Sequence, residues 1–128
     1  MKLKYPDSDF DFVVGPAYFV AQFDVYDREE TLGVEYGQFD PNDPKQLTAL
    51  LRKHFFESPW IARHSVEHRV ELTRILKLAL DSNFDFAPLF DPYAIGASSA
   101  LEYYSLPWRV RDPRGFFEEL YRLAREYW

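Results

Sequence analysis

The chain has 128 residues, no cysteine, and 21 acidic against 15 basic residues, which leaves a formal net charge of −6. These values exclude disulfides and thiolate metal sites, and they disfavour a nucleic-acid partner because phosphate-binding proteins normally present positive charge. No apolar run reaches the roughly 18 residues of a membrane span and no signal peptide is visible, so we expect a single cytoplasmic domain over residues 1–128 without a membrane partner.

The N-terminal third predicts two β-strands. Residues 17–26 alternate apolar side chains on one face, and residues 32–39 form a second candidate after a short polar turn. Because the two segments are close along the chain, we expect them to pair as a hairpin. The predicted fold class is α+β, with a small antiparallel sheet from the N-terminal third packed against three to four helices.

Three longer helices are predicted over residues 43–57, 59–81 and 113–127, each starting with a capping residue followed by proline. The middle helix carries the longest helical periodicity. Its apolar arc, expected to be buried, comprises Ile61, Ala62, Val66, Val70, Leu72, Leu76, Ala79 and Leu80. Its opposite, polar side comprises His64, Glu67, His68, Glu71 and Arg74. Ser65 offers a second possible helix start, and a short helix is also predicted from Ser99.

Residues 64–68 read H-x-x-E-H, which on a helix places two histidines four residues apart on one face. Over these five residues the chain resembles the inverted zincin motif of the insulin-degrading and pitrilysin-like metallopeptidases. The resemblance implies zinc ligands at His64 and His68, a general base at Glu67, and a third ligand at Glu118 or Glu119. This alternative would make the protein a small zinc-dependent hydrolase. The competing interpretation is a polar helix face with ordinary surface ion pairs.

Acidic charge and exposed aromatic residues predict a surface that binds a basic protein. Residues 1–43 carry −7 and residues 81–108 carry −4, whereas the segments after each are mildly basic, and aromatic residues make up 19% of the chain. Carboxylates steer a basic partner and aromatic side chains anchor it. The candidate partner-binding residues are Asp9, Asp11, Asp24, Asp27, Glu29, Glu30, Asp85, Asp91, Tyr93, Tyr103 and Tyr104.

In size, acidity and lack of catalytic apparatus, the chain resembles the small bacterial immunity proteins that block a cognate, often basic, nuclease toxin. That resemblance implies a non-catalytic inhibitory protein that needs no cofactor and covers a toxin's active site. An adaptor subunit that oligomerises through its aromatic surface is a further alternative. The two related segments DSDFDF (7–12) and DSNFDF (81–86) would support a shared binding face if they lie together in space.

Overall fold

Helices dominate residues 3–90 and 106–128, the part of the chain that the computed structural model describes. In chain order they are α1 (Ala17–Ala21), α2 (Leu32–Gly37), α3 (Pro44–Leu51), α4 (Pro59–Ala62), α5 (Val66–Asp81) and α6 (Pro113–Tyr127). A π-helical turn, Arg52–Phe56, extends α3, and a 3-10 turn, Ala87–Leu89, follows α5. Within these residues, no helix is both long enough and apolar enough to cross a membrane.

The predicted antiparallel sheet is wrong. The first candidate strand forms α1 and a loop, the second forms α2, and the β pairing in the described residues is one isolated antiparallel bridge between Lys4 and Asp11. In α1 and the loop after it, Phe19, Val20 and Phe23 are all fully buried. Their positions i, i+1 and i+4 lie on one side of a helical turn. In a β-strand, where successive side chains point to opposite faces, Val20 would lie opposite the two phenylalanines.

The predicted helix over residues 59–81 is interrupted before Ser65. Ser65 has extended backbone angles and caps α5, accepting a hydrogen bond from the backbone N–H of His68. This restart moves one edge of the buried face, whereas Leu72, Leu76 and Ala79 are buried as predicted. Val66 and Val70, expected to be buried, are exposed, and the buried side of α5 comprises His68, Leu72, Ile75, Leu76 and Ala79.

The predicted helices near residues 43–57 and 113–127 are confirmed. Pro44 and Pro113 occupy the first turns of α3 and α6, where the missing N–H costs no helical hydrogen bond. The Asp112 side chain also accepts a hydrogen bond from the N–H of Gly115 at 2.9 Å. The helix predicted from Ser99 lies outside the described residues.

Aromatic side chains fill the core around α6. Phe117 stacks on Phe86 with ring centroids 4.5 Å apart and meets Phe19 edge-on at 6.2 Å. Phe116 contacts the rings of Phe23 and Trp108. The last helix therefore covers side chains contributed by α1, by the loop after α1, and by the segment after α5.

Residues 3–13, here called the N-terminal hairpin, lie against the junction of α4 and α5. Backbone hydrogen bonds from Tyr5 to Phe10 and from Phe12 to Leu3 hold its two arms together at 2.9 and 2.8 Å. The Phe12 ring is buried and meets the His68 imidazole edge-on, with centroids 4.8 Å apart. The hairpin therefore closes one end of the core without belonging to a sheet.

Candidate functional site

The two histidines of the H-x-x-E-H stretch are core residues, and the predicted polar helix face is wrong at both positions. His64 is 4% exposed and His68 is 7% exposed. His64 lies in the break between α4 and α5, and His68 is in the first turn of α5. Buried polar groups normally have hydrogen-bond partners, so the surroundings of these two imidazoles determine what they can do.

Both ring nitrogens of His64 are bonded within the fold. Its Nδ1 lies 3.2 Å from the carbonyl of Trp60, which can only accept, so Nδ1 carries the proton and donates. Its Nε2 therefore accepts from the hydroxyl of Tyr18 at 2.6 Å. Burial lowers the pKa of His64, and burial also raises the pKa of Tyr18 to about 12. The neutral imidazole and the protonated phenol are thus the stable forms.

His68 joins α5 to the N-terminal hairpin. The backbone N–H of Ser65 donates to its Nδ1 at 3.0 Å, and the Ser65 hydroxyl lies 2.8 Å from the same nitrogen. Because Nδ1 accepts, Nε2 carries the proton and donates to the carbonyl of Lys4. His68 therefore combines a helix-capping role with a tether to a residue far away in sequence.

The geometry does not support the zinc site that the motif implies. Zinc needs a free lone pair on each imidazole, and every nitrogen of His64 and His68 is already bonded inside the protein. Glu119, one of the two proposed third ligands, is bound to Thr48 and Arg122. Over the described ranges, no group of three histidine, cysteine or acidic residues could hold a metal ion.

The candidate acidic residues of segments 7–12 and 81–86 lie at opposite ends of α5. Asp9 and Asp11 lie on the N-terminal hairpin beside the start of α5, whereas Asp85 follows the end of that helix. A helix of 16 residues is about 24 Å long, so α5 separates the two related segments 7–12 and 81–86. The condition for a shared binding face is not met. Asp91, Tyr93, Tyr103 and Tyr104 lie outside the described residues.

Residues 24–30, here called the acidic loop, connect α1 to α2 and hold the other candidate residues. Its exposed side chains include Asp27, Glu29, Glu30 and the ring of Tyr26, which is 68% exposed. Asp24 accepts a hydrogen bond from the N–H of Tyr26 at 3.1 Å, and the carbonyl of Val25 accepts one from the N–H of Arg28 at 2.7 Å. These bonds give the loop a defined turn.

Most helical carboxylates are paired within the fold, unlike three carboxylates of the acidic loop. Glu71 bonds Arg74 and Glu119 bonds Arg122, and both pairings lower the carboxyl pKa. Similar ion pairs join Lys77 to Asp81, Arg52 to Glu126 and Lys53 to Glu35. Among residues 3–90 and 106–128, no ion pair reaches Asp27, Glu29 or Glu30. These three carboxylates therefore carry negative charge that no ion pair of the described residues compensates.

Sequence reasoning missed a groove between α3 and α6. Its volume is about 650 Å³, with Leu47 and Phe116 as apolar lining and Arg111, Glu118 and Arg122 among its charged residues. It also missed a smaller hollow of about 260 Å³ beside the N-terminal hairpin, where three aromatic rings meet. Neither cavity has a local sequence signal, because each is lined by segments that are distant along the chain.

Comparisons of this chain with protein families, with curated proteins and with solved structures each give no match.

Proposed function

We propose that the protein binds a basic protein partner stoichiometrically and inhibits it without catalysis. The observation that supports this proposal is the acidic loop, in which Asp27, Glu29 and Glu30 have no ion pair within the described residues. These three exposed carboxylates share a short segment with the exposed ring of Tyr26 and with one guanidinium, that of Arg28. The carboxylates steer a cationic partner toward the loop, and Tyr26 supplies a rigid ring for contact. The hydrogen-bonded turn reduces the entropy that the loop loses on binding.

The partner that fits this surface is a cationic enzyme, and we propose a toxin of the nuclease type acting in the cytoplasm. A nuclease active site is basic because it binds phosphate, so an acidic loop complements it directly. This agrees with the resemblance to immunity proteins in size and acidity. The protein would then inhibit by occupying the place of the nucleic acid, which requires one copy per toxin molecule.

The test is affinity capture from the lysate of the source organism, followed by reconstitution with the purified partner. The matched variants are Glu30→Lys in the acidic loop and Glu118→Lys on α6, since both replace an exposed glutamate that has no ion pair in the described structure. We expect Glu30→Lys to weaken binding about tenfold at low salt and Glu118→Lys to have little effect. The difference in affinity between these two variants should become smaller at high salt, because the screening length falls from about 10 Å at 0.1 M to about 3 Å at 1 M.

A second measurement separates inhibition from simple association. The captured partner is assayed for cleavage of plasmid DNA while the protein is titrated in, and activity should reach zero at one equivalent. Tyr26→Ala should raise the amount of protein required for full inhibition, because a central aromatic anchor can contribute about 2 kcal/mol or more to the binding free energy. The proposal is wrong if the partner is acidic, if Glu30→Lys and Glu118→Lys bind equally well at low salt, or if the saturated complex stays active.

A further inference from the structure

The hollow of about 260 Å³ beside the N-terminal hairpin is lined by Tyr5, Pro6, Tyr18, Trp60, Arg63 and His64, and is here called the aromatic hollow. The Tyr18 ring lies between the other two, with its centroid 6.2 Å from Tyr5 and 5.1 Å from Trp60. All three rings are partly exposed. The hairpin, α1 and α4 each contribute one of them.

The two tyrosines are held in place by their hydroxyl groups. Tyr5 donates to the carbonyl of Val13 at 3.1 Å, and Tyr18 donates to Nε2 of His64. Both polar ends are thus used within the fold, and the rings pack against Phe12 and against each other. A ligand can therefore contact only the exposed part of each ring. Rings fixed in this way lose little side-chain entropy when something binds against them.

The charges at the hollow are already balanced. Nε and Nη2 of Arg63 both donate to one carboxylate oxygen of Asp7, at 3.2 and 2.9 Å. A cationic ligand would be repelled by the Arg63 guanidinium, and an anionic one would compete with Asp7 for it. An uncharged ligand avoids both costs, so the hollow favours a neutral group despite the acidity of the whole chain.

One uncharged side-chain hydrogen-bond donor among the lining residues is unused. The indole N–H of Trp60 has no hydrogen-bond partner among the described residues and is not enclosed. The indole of Trp108, in contrast, donates to the carbonyl of Tyr36 at 2.9 Å. A ligand that suits the hollow therefore presents an apolar ring for stacking and one carbonyl to accept from Trp60.

We propose that the aromatic hollow binds a proline-containing extended segment of a protein partner. Each proline of such a segment offers a pyrrolidine ring and a carbonyl, and it has no backbone N–H that would need an acceptor. In the polyproline II conformation the backbone makes no internal hydrogen bonds, so these carbonyls are free to accept. Aromatic grooves recognise such segments because their extended shape is formed before binding. The volume is below the roughly 300 Å³ at which drug-sized ligand sites begin, so one or two residues fill it. This site does not use the acidic loop.

The test titrates the full chain with decaproline and follows the three indole N–H resonances by NMR. The Trp60 resonance is assigned from Trp60→Phe, which keeps a ring and removes the donor. We expect the Trp60 resonance to shift in a saturable manner with millimolar peptide, while those of Trp108 and Trp128 stay in place. Trp60→Phe should weaken binding about threefold to tenfold, and the matched Trp128→Phe should not.

A decapeptide of glycine and serine is the control ligand. The proposal is overturned if the Trp60 resonance does not move with decaproline, or if the glycine-serine peptide moves it equally. It is also overturned if folded Trp60→Phe binds as tightly as the parent protein. The shift in the parent protein remains decisive if that variant fails to fold.

Discussion

Removal of the Tyr18 hydroxyl tests whether the buried histidines are structural. In Tyr18→Phe the ring is retained, but Nε2 of His64 loses its donor at a position that is 4% exposed. An unsatisfied buried acceptor costs about 1–3 kcal/mol. With an unfolding entropy of about 2.1 cal/mol/K per residue, each kcal/mol lowers the Tm of a 128-residue chain by roughly 4 °C. The expected loss in Tm is therefore about 4–11 °C.

The assay is thermal and urea unfolding followed by tryptophan fluorescence, with Tyr5→Phe as the matched control. The Tyr5 hydroxyl also bonds a partner, the carbonyl of Val13, but in an exposed setting where water can replace it. Its removal should therefore cost less than about 1 kcal/mol. If Tyr18→Phe is no less stable than Tyr5→Phe, the hydrogen bond to His64 does not hold the hairpin end of the fold together.

Two further predictions concern the same junction of α4 and α5. Burial lowers the pKa of His64 below the ordinary 6.5, so the unfolded chain binds the proton more readily and stability is full above about pH 6.5. His64 should contribute a decline in stability as the pH falls below that value, by at most about 1.4 kcal/mol per pH unit for its one proton. Burial also lowers the pKa of His54, so His64→Gln should reduce the slope of the urea midpoint between about pH 7.5 and 5 without abolishing it. Ser65→Ala should lower the free energy of unfolding by about 1–2 kcal/mol, because α5 loses its N-terminal cap. Ser65→Thr should retain most of that stability, because threonine can also cap a helix. An unchanged urea midpoint in Ser65→Ala would contradict the capping role.

The helical part of the fold could be predicted where local signals agree with packing. Pro44 and Pro113 each follow an aspartate and precede a helical repeat of apolar residues, and α3 and α6 begin there. The segment around Phe19 could not be assigned in this way, because its residue types favour a β-strand although it forms a short helix. The burial of that helix depends on packing against α6, almost a hundred residues later in the chain. Tertiary packing overrides local preference in so short an element.

The H-x-x-E-H motif was misjudged for a different reason. Its interpretation assumed one continuous helix over residues 59–81, on which His64 and His68 share a face. Ser65 was visible as a second start, but the sequence alone does not show that the chain breaks there and turns both imidazoles inward. The charge of Asp27, Glu29 and Glu30 was predictable from the sequence, because the carboxylates are visible there. That no described lysine or arginine pairs with them was not predictable, because it depends on where those basic residues fold.

The tether between His68 and the carbonyl of Lys4 joins residues that are 64 positions apart. At a synthesis rate of about 5–20 residues per second, His68 is added to the chain roughly 3–13 s after Lys4. The N-terminal hairpin has no α5 to pack against during that interval. The interval is longer for Phe19 and Phe23, because the phenylalanine rings of α6 that pack against them are synthesised later still. The nascent chain thus exposes aromatic side chains until residues 113–127 have been synthesised, and chaperone demand and aggregation in the cell should peak in that interval.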